Sequence, residues 1–424
     1  MNILVVGGGG REHAISLSLH QSPLTKRLVV APGNPGIADF AECVKIQPED
    51  LEGQCKLAKE INADIVFIGP EAPLVLGLKD KLNSIGIQAF GPSAKAAQLE
   101  GSKIFSRNFC KRHNIPQPKF KYCSDIETAI KEIKLLNGYC VVKADGLAAG
   151  KGVTVCENIN QAIKAAKNML EEKIFGDAGN IILIEERIVG IEASLFAISD
   201  GSNAILLGTA QDYKRALDND KGPNTGGMGA ISPSPSLNSK LTREIMQTII
   251  SPTIKGMKNE NMKYEGILYA GIMITKNGPK VIEFNCRFGD PETQAIIPRL
   301  KTDLVEIIKR TNEKKLLGFK IELIKKKAVT VVIASNGYPN DFQKNQVLPS
   351  LHKVKQIKNL TIYHSGTSTN EKNKLINSGG RVFSISAIGE KIENCRNQIY
   401  YGIKLINWKK GFHRKDIGIN LNSS

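Results

Sequence analysis

The eight cysteines include no C-x-x-C pair and no Cys/His cluster at zinc spacing, so the sequence encodes neither a dithiol redox centre nor a structural zinc site. Several cysteines sit in apolar, strand-like runs, as Cys140 does before Val141 and Val142. They read as reduced core thiols, which fits a cytoplasmic compartment. No apolar run approaches the roughly 20 residues of a membrane span. The first residues have neither a basic n-region nor an h-region of sufficient length. A soluble protein without a membrane partner is expected. Internal repeats and low-complexity tracts are absent, as is any Ser/His/Asp set for nucleophilic catalysis. No aromatic-studded basic segment accompanies the excess of 58 basic over 41 acidic residues, a net +17. The lysines are scattered beside Asn and Ile, so the charge reads as a solvated face that favours phosphorylated ligands, and no nucleic acid is expected as a partner.

What is present is an ordinary globular composition, with 39 glycines and 41% hydrophobic residues in 424. That length is too great for one core and favours about two to four domains. Ile3 to Val6 form a short buried strand that turns through Gly7, Gly8, Gly9, Gly10, Arg11 and Glu12 into a helix. Such a turn presents backbone N–H groups at a helix N-terminus, a natural phosphate cradle. It is no dinucleotide fingerprint: Glu12 or His13 stands where the third glycine of G-x-G-x-x-G belongs. Strands expected at 28–31, 64–68 and 88–90 each empty into a Gly/Pro loop, among them Asn34 and its neighbours and the Gly-Pro-Glu turn at Glu71. Open α/β sheets place ligands at that end, although turn chemistry alone explains each loop equally well. A helix from Ser102 to His113, closed by Asn114, Ile115 and Pro116, marks the first boundary.

A helix from Asp125 stops at Asn137 and Gly138, and an apolar strand then delivers Lys143 inward. The loop that follows, through Gly146, Gly150, Lys151 and Gly152, is no Walker A motif, because the glycine spacing is short and a strand comes next. It reads as a flexible lid over nucleotide phosphates. The run 181–186 is another buried strand ending in Glu185 and Glu186. Beyond it, Ile188 and Glu192 are placed to meet a purine and its ribose, a weak signal unaided. The stretch Gly222 to Ala230, with Thr225, Gly226, Gly227, Met228 and Gly229, is expected to be neither helix nor ordinary strand but an anion-binding nest of accessible N–H groups.

The stretch 281–294 is the pivot. Asn277-Gly278 is a hairpin signal, and an alternation through Val281, Glu283 and Asn285 marks a strand with a carboxylate and an amide oxygen on one face. Hard oxygen donors at that spacing suit Mg²⁺, although a solvated strand end with an Arg–Glu pair is the equal alternative for the segment taken alone. Arg287, Gly289, Asp290 and Pro291 then crowd charge into one turn.

Taken as an ordered set, Lys143 with its glycine hairpin, Glu185-Glu186 with Glu192, and Glu283-x-Asn285 resemble the ATP-grasp ligases. GGGGREHA at 7–14, GPEAPL at 69–74, VVKADGLAAGKGV at 141–153, GPNTGGMGA at 222–230 and RFGDPETQ at 287–294 resemble the phosphoribosylamine–glycine ligase family across the whole chain. The resemblance implies an α/β multidomain fold: a Rossmann-like domain over 1–102, an ATP-grasp domain over 103–325 with a mobile lid at about 119–190, and a small C-terminal mixed barrel over 326–424. It implies ATP and Mg²⁺ (or Mn²⁺) as cofactors, and glycine, phosphoribosylamine and ATP as small-molecule partners of a monomer. Catalytic roles fall on Lys143, Asp212, Lys214 and Arg287, and metal binding on Glu283 and Asn285. ATP contacts fall on Lys103, Lys143, Gly150, Lys151, Gly152, Glu185, Glu186, Ile188 and Glu192. Substrate contacts fall on Gly9, Gly10, Arg11, Glu12, Asn34, Glu71, 225–229 and Asp290. Two departures stand out: Tyr213 occupies a position where the family usually carries His, and Cys286 one where it commonly carries Ala. Cys286 is expected to matter only for packing. Another ATP-grasp carboxylate–amine ligase is the alternative reading.

Overall fold

The computed structural model describes residues 1–148 and 152–419. The first unit is a parallel sheet of β1 (Asn2–Gly7), β2 (Arg27–Pro32), β3 (Glu42–Cys43), β4 (Ile65–Ile68) and β5 (Ala89–Phe90), ordered β3-β2-β1-β4-β5. Strand side chains alternate between faces, so Ile3 and Val5 are buried on one side and Leu4 and Val6 on the other, as a sheet covered on both faces requires. The two-residue β3 is too short to leave a hydrophobic period and is not legible in the sequence. Strand order reverses between β1 and β4, which sets the glycine turn after β1 beside the Glu71 turn after β4 in one crevice. Neither core face ends with this sheet. Leu4, Val6 and Val29 share one cluster with Leu195, Leu268 and Phe284, and Ile3 and Val5 share another with Phe196 and Tyr269.

The boundary helix runs Lys103–Arg112 with Ser102 as N-cap, its Oγ accepting from Phe105 N at 3.0 Å. The segment that follows, where a lid is expected, is an antiparallel sheet of β6 (Phe120–Cys123), β7 (Cys140–Ala144), β8 (Val153–Val155) and β9 (Ile182–Glu186), ordered β6-β9-β7-β8. The helices Ile126–Leu135 and Ile159–Leu170 pack against it and against each other, and together they enclose a core of their own. Asn137 and Gly138 take positive φ, the backbone stop read from the sequence.

The largest sheet is antiparallel. It uses β10 (Ile191–Asp200), β11 (Ala204–Asp212), β14 (Gly229–Ser232), β15 (Glu265–Thr275) and β16 (Gly278–Asn285), with a two-stranded ribbon of β12 (Arg215–Leu217) and β13 (Lys221–Asn224) before β14. It continues into the C-terminal part through β17 (Lys327–Ser335), β18 (Leu360–His364) and β21 (Arg381–Gly389), with β22 (Gly411–Phe412) on β17. β19 (Thr367–Thr369) and β20 (Leu375–Asn377) form a separate hairpin, and the Ile392–Ile406 helix closes the core of this part. The expectation that 222–230 holds no ordinary strand is corrected, since both ends of the stretch are strands. Pro223 is tolerated in β13 because that strand pairs on one side only. No helix among the described residues is long and apolar enough to cross a membrane.

Candidate active site

Lys143 sits inside β7, and burial drives it to find a charge partner. Its Nζ lies 2.8 Å from Glu185 Oε2 and donates to the Ile282 carbonyl at 3.2 Å. Glu185, 2% exposed on β9, is also gripped by Arg107, whose Nε and Nη2 donate to its two oxygens at 2.6 and 3.1 Å. Burial opposes ionisation of Glu185, but Arg107 and Lys143 outweigh it and hold the carboxyl at about 2. Arg107 also donates to the carbonyls of Val281 at 3.2 Å and Ile282 at 2.6 Å. Those carbonyls are accessible because β16 carries a bulge: the register passes from Ile272↔Val281 to Gly271↔Glu283, leaving Ile282 as the extra residue. The bulge breaks the alternation expected from Val281 onward. Val281 and Phe284 face the core, and Glu283 and Asn285 share the opposite face. Arg107→Leu would strand a buried carboxylate half-paired. We expect a loss of about 3–5 kcal/mol in denaturant unfolding, and a loss below about 1 kcal/mol would show that Lys143 alone neutralises Glu185.

Glu283 faces Lys214, whose Nζ is 3.2 Å from Glu283 Oε1 and 3.2 Å from Glu192 Oε2. Lys214 holds Glu283 at about 2 against the cost of burial. Asp212 and Glu292 lie close by with less compensation. Burial, reinforced by neighbouring carboxylates, pushes Asp212 up to about 6 and Glu292 up to about 7. Four acids thus crowd around one ammonium, with the amide of Asn285 on the Glu283 face. Among the described residues no group of three or more His, Cys, Asp or Glu could hold a metal by itself. The acid surplus and the oxygen donors of Glu283 and Asn285 fit a hard divalent cation that completes its shell with substrate phosphates. The raised pair has a sign. Between the unfolded value near 4 and the folded values, this pair binds more protons in the native state, so its contribution to stability falls as pH climbs from about 4 to about 7 and is level above. Asp212→Asn is expected to reduce that decline in thermal midpoint. Parallel pH profiles for variant and wild type would contradict it.

The charged turn after β16 grips the first domain. Arg287 Nε is 3.0 Å from Glu71 Oε2 and its Nη2 is 2.7 Å from Glu100 Oε1, with Arg287 holding Glu71 at about 2. Arg11 donates to Glu12 Oε1 at 2.6 Å and to the Phe288 carbonyl at 3.1 Å. Asp290 accepts from Gln294 at 2.8 Å and faces Arg381 at 3.4 Å. Cys286 corrects an expectation: its N–H and thiol both donate to Glu100 Oε2, at 2.7 and 3.1 Å, so it holds a carboxylate and does not merely pack. The strand ladder has ended at Asn285, which leaves that N–H available.

Three further expectations change in the glycine-rich segments. The N–H of Gly9 is taken by Glu12 Oε2 at 2.8 Å, so the helix N-terminus carries its own carboxylate where a phosphate was expected. Asn34 gives its amide to the carbonyls of Gly8 and His364 and accepts from Gly36 and Ile37, which saturates it with backbone. The nest of accessible amides expected over 222–230 is corrected at 225–228. Thr225 N donates to the Lys214 carbonyl, Gly226 N to Tyr338 Oη, Gly227 N to Thr225 Oγ1 and Met228 N to the Tyr213 carbonyl. These amides shape the loop and are not free for an anion.

Of the remaining residues, Lys103 donates to the Gly146 carbonyl at 2.8 Å, and Asp145 accepts from Ser102 Oγ and Ile104 N, so the residues just after β7 cap the boundary helix. Glu186 lies on the rim, accepting from Lys119 N and Lys280. Ile188 lies half-buried between β9 and β10, and the Gly152 carbonyl accepts from Ala144 N at 2.9 Å. Gly150 and Lys151 fall outside the described residues. Arg107, Glu100 and Glu292 are participants the sequence reading missed. An arginine in an amphipathic helix looks like a surface residue, and only the packing of that helix on β16 reveals it. The Glu292 position lay within the motif at 287–294 and was legible there.

A strand-borne lysine, an acidic strand end beside it and a carboxylate–amide pair on the facing sheet define an ATP-grasp protein. Residues 1–100, 101–293 and 328–420 match the N, ATP-grasp (A) and C domains of phosphoribosylglycinamide synthetase, and the chain belongs to that family. It is 45% identical over 417 residues to a phosphoribosylamine–glycine ligase of Caldanaerobacter subterraneus subsp. tengcongensis, covering 98% of this chain and 99% of that one. The crystal structure of the Thermotoga maritima phosphoribosylamine–glycine ligase superposes with a TM-score of 0.85 at 28% identity, over 98% of this chain and 100% of that chain. A biotin carboxylase domain from Hydrogenobacter thermophilus, solved with MgADP, ADP and bicarbonate, shares the fold alone, with a TM-score of 0.72 at 17% identity over 97% and 91% of the chains.

Proposed function

We propose that this chain joins glycine to 5-phospho-β-D-ribosylamine with ATP, giving N1-(5-phospho-β-D-ribosyl)glycinamide, ADP and phosphate, a step of purine synthesis. A glycine carboxylate oxygen attacks the γ-phosphorus and ADP leaves. The amine nitrogen of the ribosylamine then attacks the acyl carbon of the resulting glycyl phosphate, phosphate leaves and a proton is lost. Phosphoryl transfer of this kind asks for positioning and charge neutralisation more than for a protein nucleophile. Lys103 and Lys143 meet the ATP phosphates, the backbone near Ile188 takes the adenine, and Glu192 takes the ribose. Glu185 works beneath them by orienting Lys143. Glu283 and Asn285 would hold Mg²⁺ or Mn²⁺, which supplies neutralising charge to the phosphates. Asp212, Lys214 and 225–229 border the glycine and amine pocket, with Arg287 set to steer anionic groups toward it.

The observation that carries this reading is the meeting at β16 of Lys143, which bonds the Ile282 carbonyl, with the ion-pair chain Glu283–Lys214–Glu192, which reaches the same strand through Glu283. The free thiols favour a cytoplasmic setting, and we take the working unit to be a monomer. The test is phosphate release with Mg-ATP, glycine and phosphoribosylamine made in situ from ribose 5-phosphate and ammonia. Release should require all three substrates. Release indifferent to glycine would replace this assignment with another ATP-grasp carboxylate–amine ligase.

A further inference from the structure

The ribbon of β12 and β13 connects Lys214 to the loop 225–228, yet it is only two strands, and a two-stranded ribbon is marginal on its own. Something else must hold it. The segment 414–418 lies along it and supplies a dense set of contacts. Arg414, 1% exposed, donates to the Arg215 carbonyl at 3.1 Å and to Asp220 at 2.7 Å, and is forked by Asp416 at 2.8 and 2.6 Å. Asn219 N donates to Asp416 at 2.9 Å, and Lys415 N donates to Asp218 at 2.7 Å. Gly418 N donates to Tyr213 Oη at 3.0 Å, and the Arg414 guanidinium lies 5.0 Å from the centre of the Tyr213 ring. Tyr400 Oη donates to the Arg414 carbonyl at 2.9 Å, which fixes the segment to the Ile392–Ile406 helix.

Tyr213 passes this hold directly to the pocket. Its N–H donates to the Gly229 carbonyl and its carbonyl accepts from Met228 N, while the next carbonyl, of Lys214, accepts from both Thr225 N and Thr225 Oγ1. On the far side of the loop, Arg381 donates to the carbonyls of Gly226 and Asp290, both at 2.6 Å, and Tyr338 Oη accepts from Gly226 N. The loop is therefore suspended between two groups of C-terminal residues. The phosphate-binding lysine has a separate anchor in Arg107 and β16, which this suspension does not touch.

We infer that Tyr213 and the segment 414–418 are positioning elements for the acceptor and glycine pocket, setting Lys214 and 225–229 without touching substrate; the inference rests on the placement of that pocket under Proposed function. It gives Tyr213 a role that needs a phenol oxygen as acceptor and a ring as a cation platform, and no titration.

Two full-length variants test it. Tyr213→Phe removes only the acceptor of the Gly418 N–H, and Asp220→Asn removes one charge from a side chain that is 70% exposed and keeps a residue that tolerates its positive φ. Each should raise the KM for glycine and for phosphoribosylamine about three- to tenfold, the scale of one net hydrogen bond. The KM for ATP and the thermal midpoint should stay near wild type. Hydrogen exchange at the Thr225 and Met228 amides, measured without substrates, should quicken in both variants. Unchanged exchange in both overturns the inference, as does a parallel rise in the KM for ATP, which would mean general loosening. If the wild type releases no glycine-dependent phosphate, the functional assignment fails, and the exchange result still judges the hold of Tyr213 and 414–418 on the loop.

Discussion

Glu283→Gln should lower turnover about 100-fold or more, since a charged ligand for the divalent cation is worth several kcal/mol of barrier and each tenfold is about 1.4 kcal/mol. The substitution keeps shape and an oxygen donor, and the side chain it alters is 41% exposed, so folding should be nearly unaffected. What changes is charge. Lys214 keeps Glu192 but loses one of its two direct ion pairs, and the amide offers the cation a weaker oxygen. Kinetics at limiting Mg²⁺ are the sensitive measurement, because a weakened site is partly rescued at high metal. A variant that retains the wild-type rate at limiting Mg²⁺ would remove Glu283 from the metal site.

The second large effect is expected at Lys143. Lys143→Met keeps the aliphatic stem in its apolar strand and deletes the ammonium that bonds Glu185 and the Ile282 carbonyl. Glu185 retains the two-toothed grip of Arg107, so the stability cost should stay well below that of Arg107→Leu. The catalytic cost should be the larger one, about 100-fold in kcat/KM for ATP, the scale of losing one preorganised group facing transition-state charge. Lys143→Arg should not restore it, because a planar fork cannot replace a point charge in a buried slot already shared with Arg107. Full rescue by arginine would mean that Lys143 serves only to neutralise Glu185. The pair of variants separates the two jobs: Arg107 is expected to register mainly in unfolding, Lys143 mainly in rate.

The parts that were legible in the sequence are those in which one short segment carries both its structure and its chemistry. Lys143 flanked by apolar residues had to face inward, Glu283 and Asn285 two apart on a strand had to share a face, and Asn137-Gly138 had to end a helix. The continuous apolar run of Ile3 to Val6 announced a strand buried on both sides. Illegible were the contacts that depend on what arrives from elsewhere. Arg107 is defined by Glu185, 78 positions away. Cys286 and Glu100 meet across 186 positions, and nothing local to either foretells it. The glycine-rich loop misled for the same reason: its sequence advertises free amides, and the partners that consume three of them, Tyr338 and the carbonyls of residues 213 and 214, lie in a distant turn and in the link between β11 and β12. A single extra residue at Ile282 has no periodic signature in so short a strand.

That extra residue also bears on how the protein tolerates change. The connection between lid and floor is made to main-chain oxygens, which every amino acid possesses. Substitution at 282 therefore leaves the acceptors for Lys143 and Arg107 in place whatever side chain is chosen, and sequence drift there should be nearly silent. Deleting one residue from β16 is a different matter: it would straighten the strand, turn those oxygens back into the ladder and cut the link at a stroke. The joint is robust to replacement and fragile to a change in length.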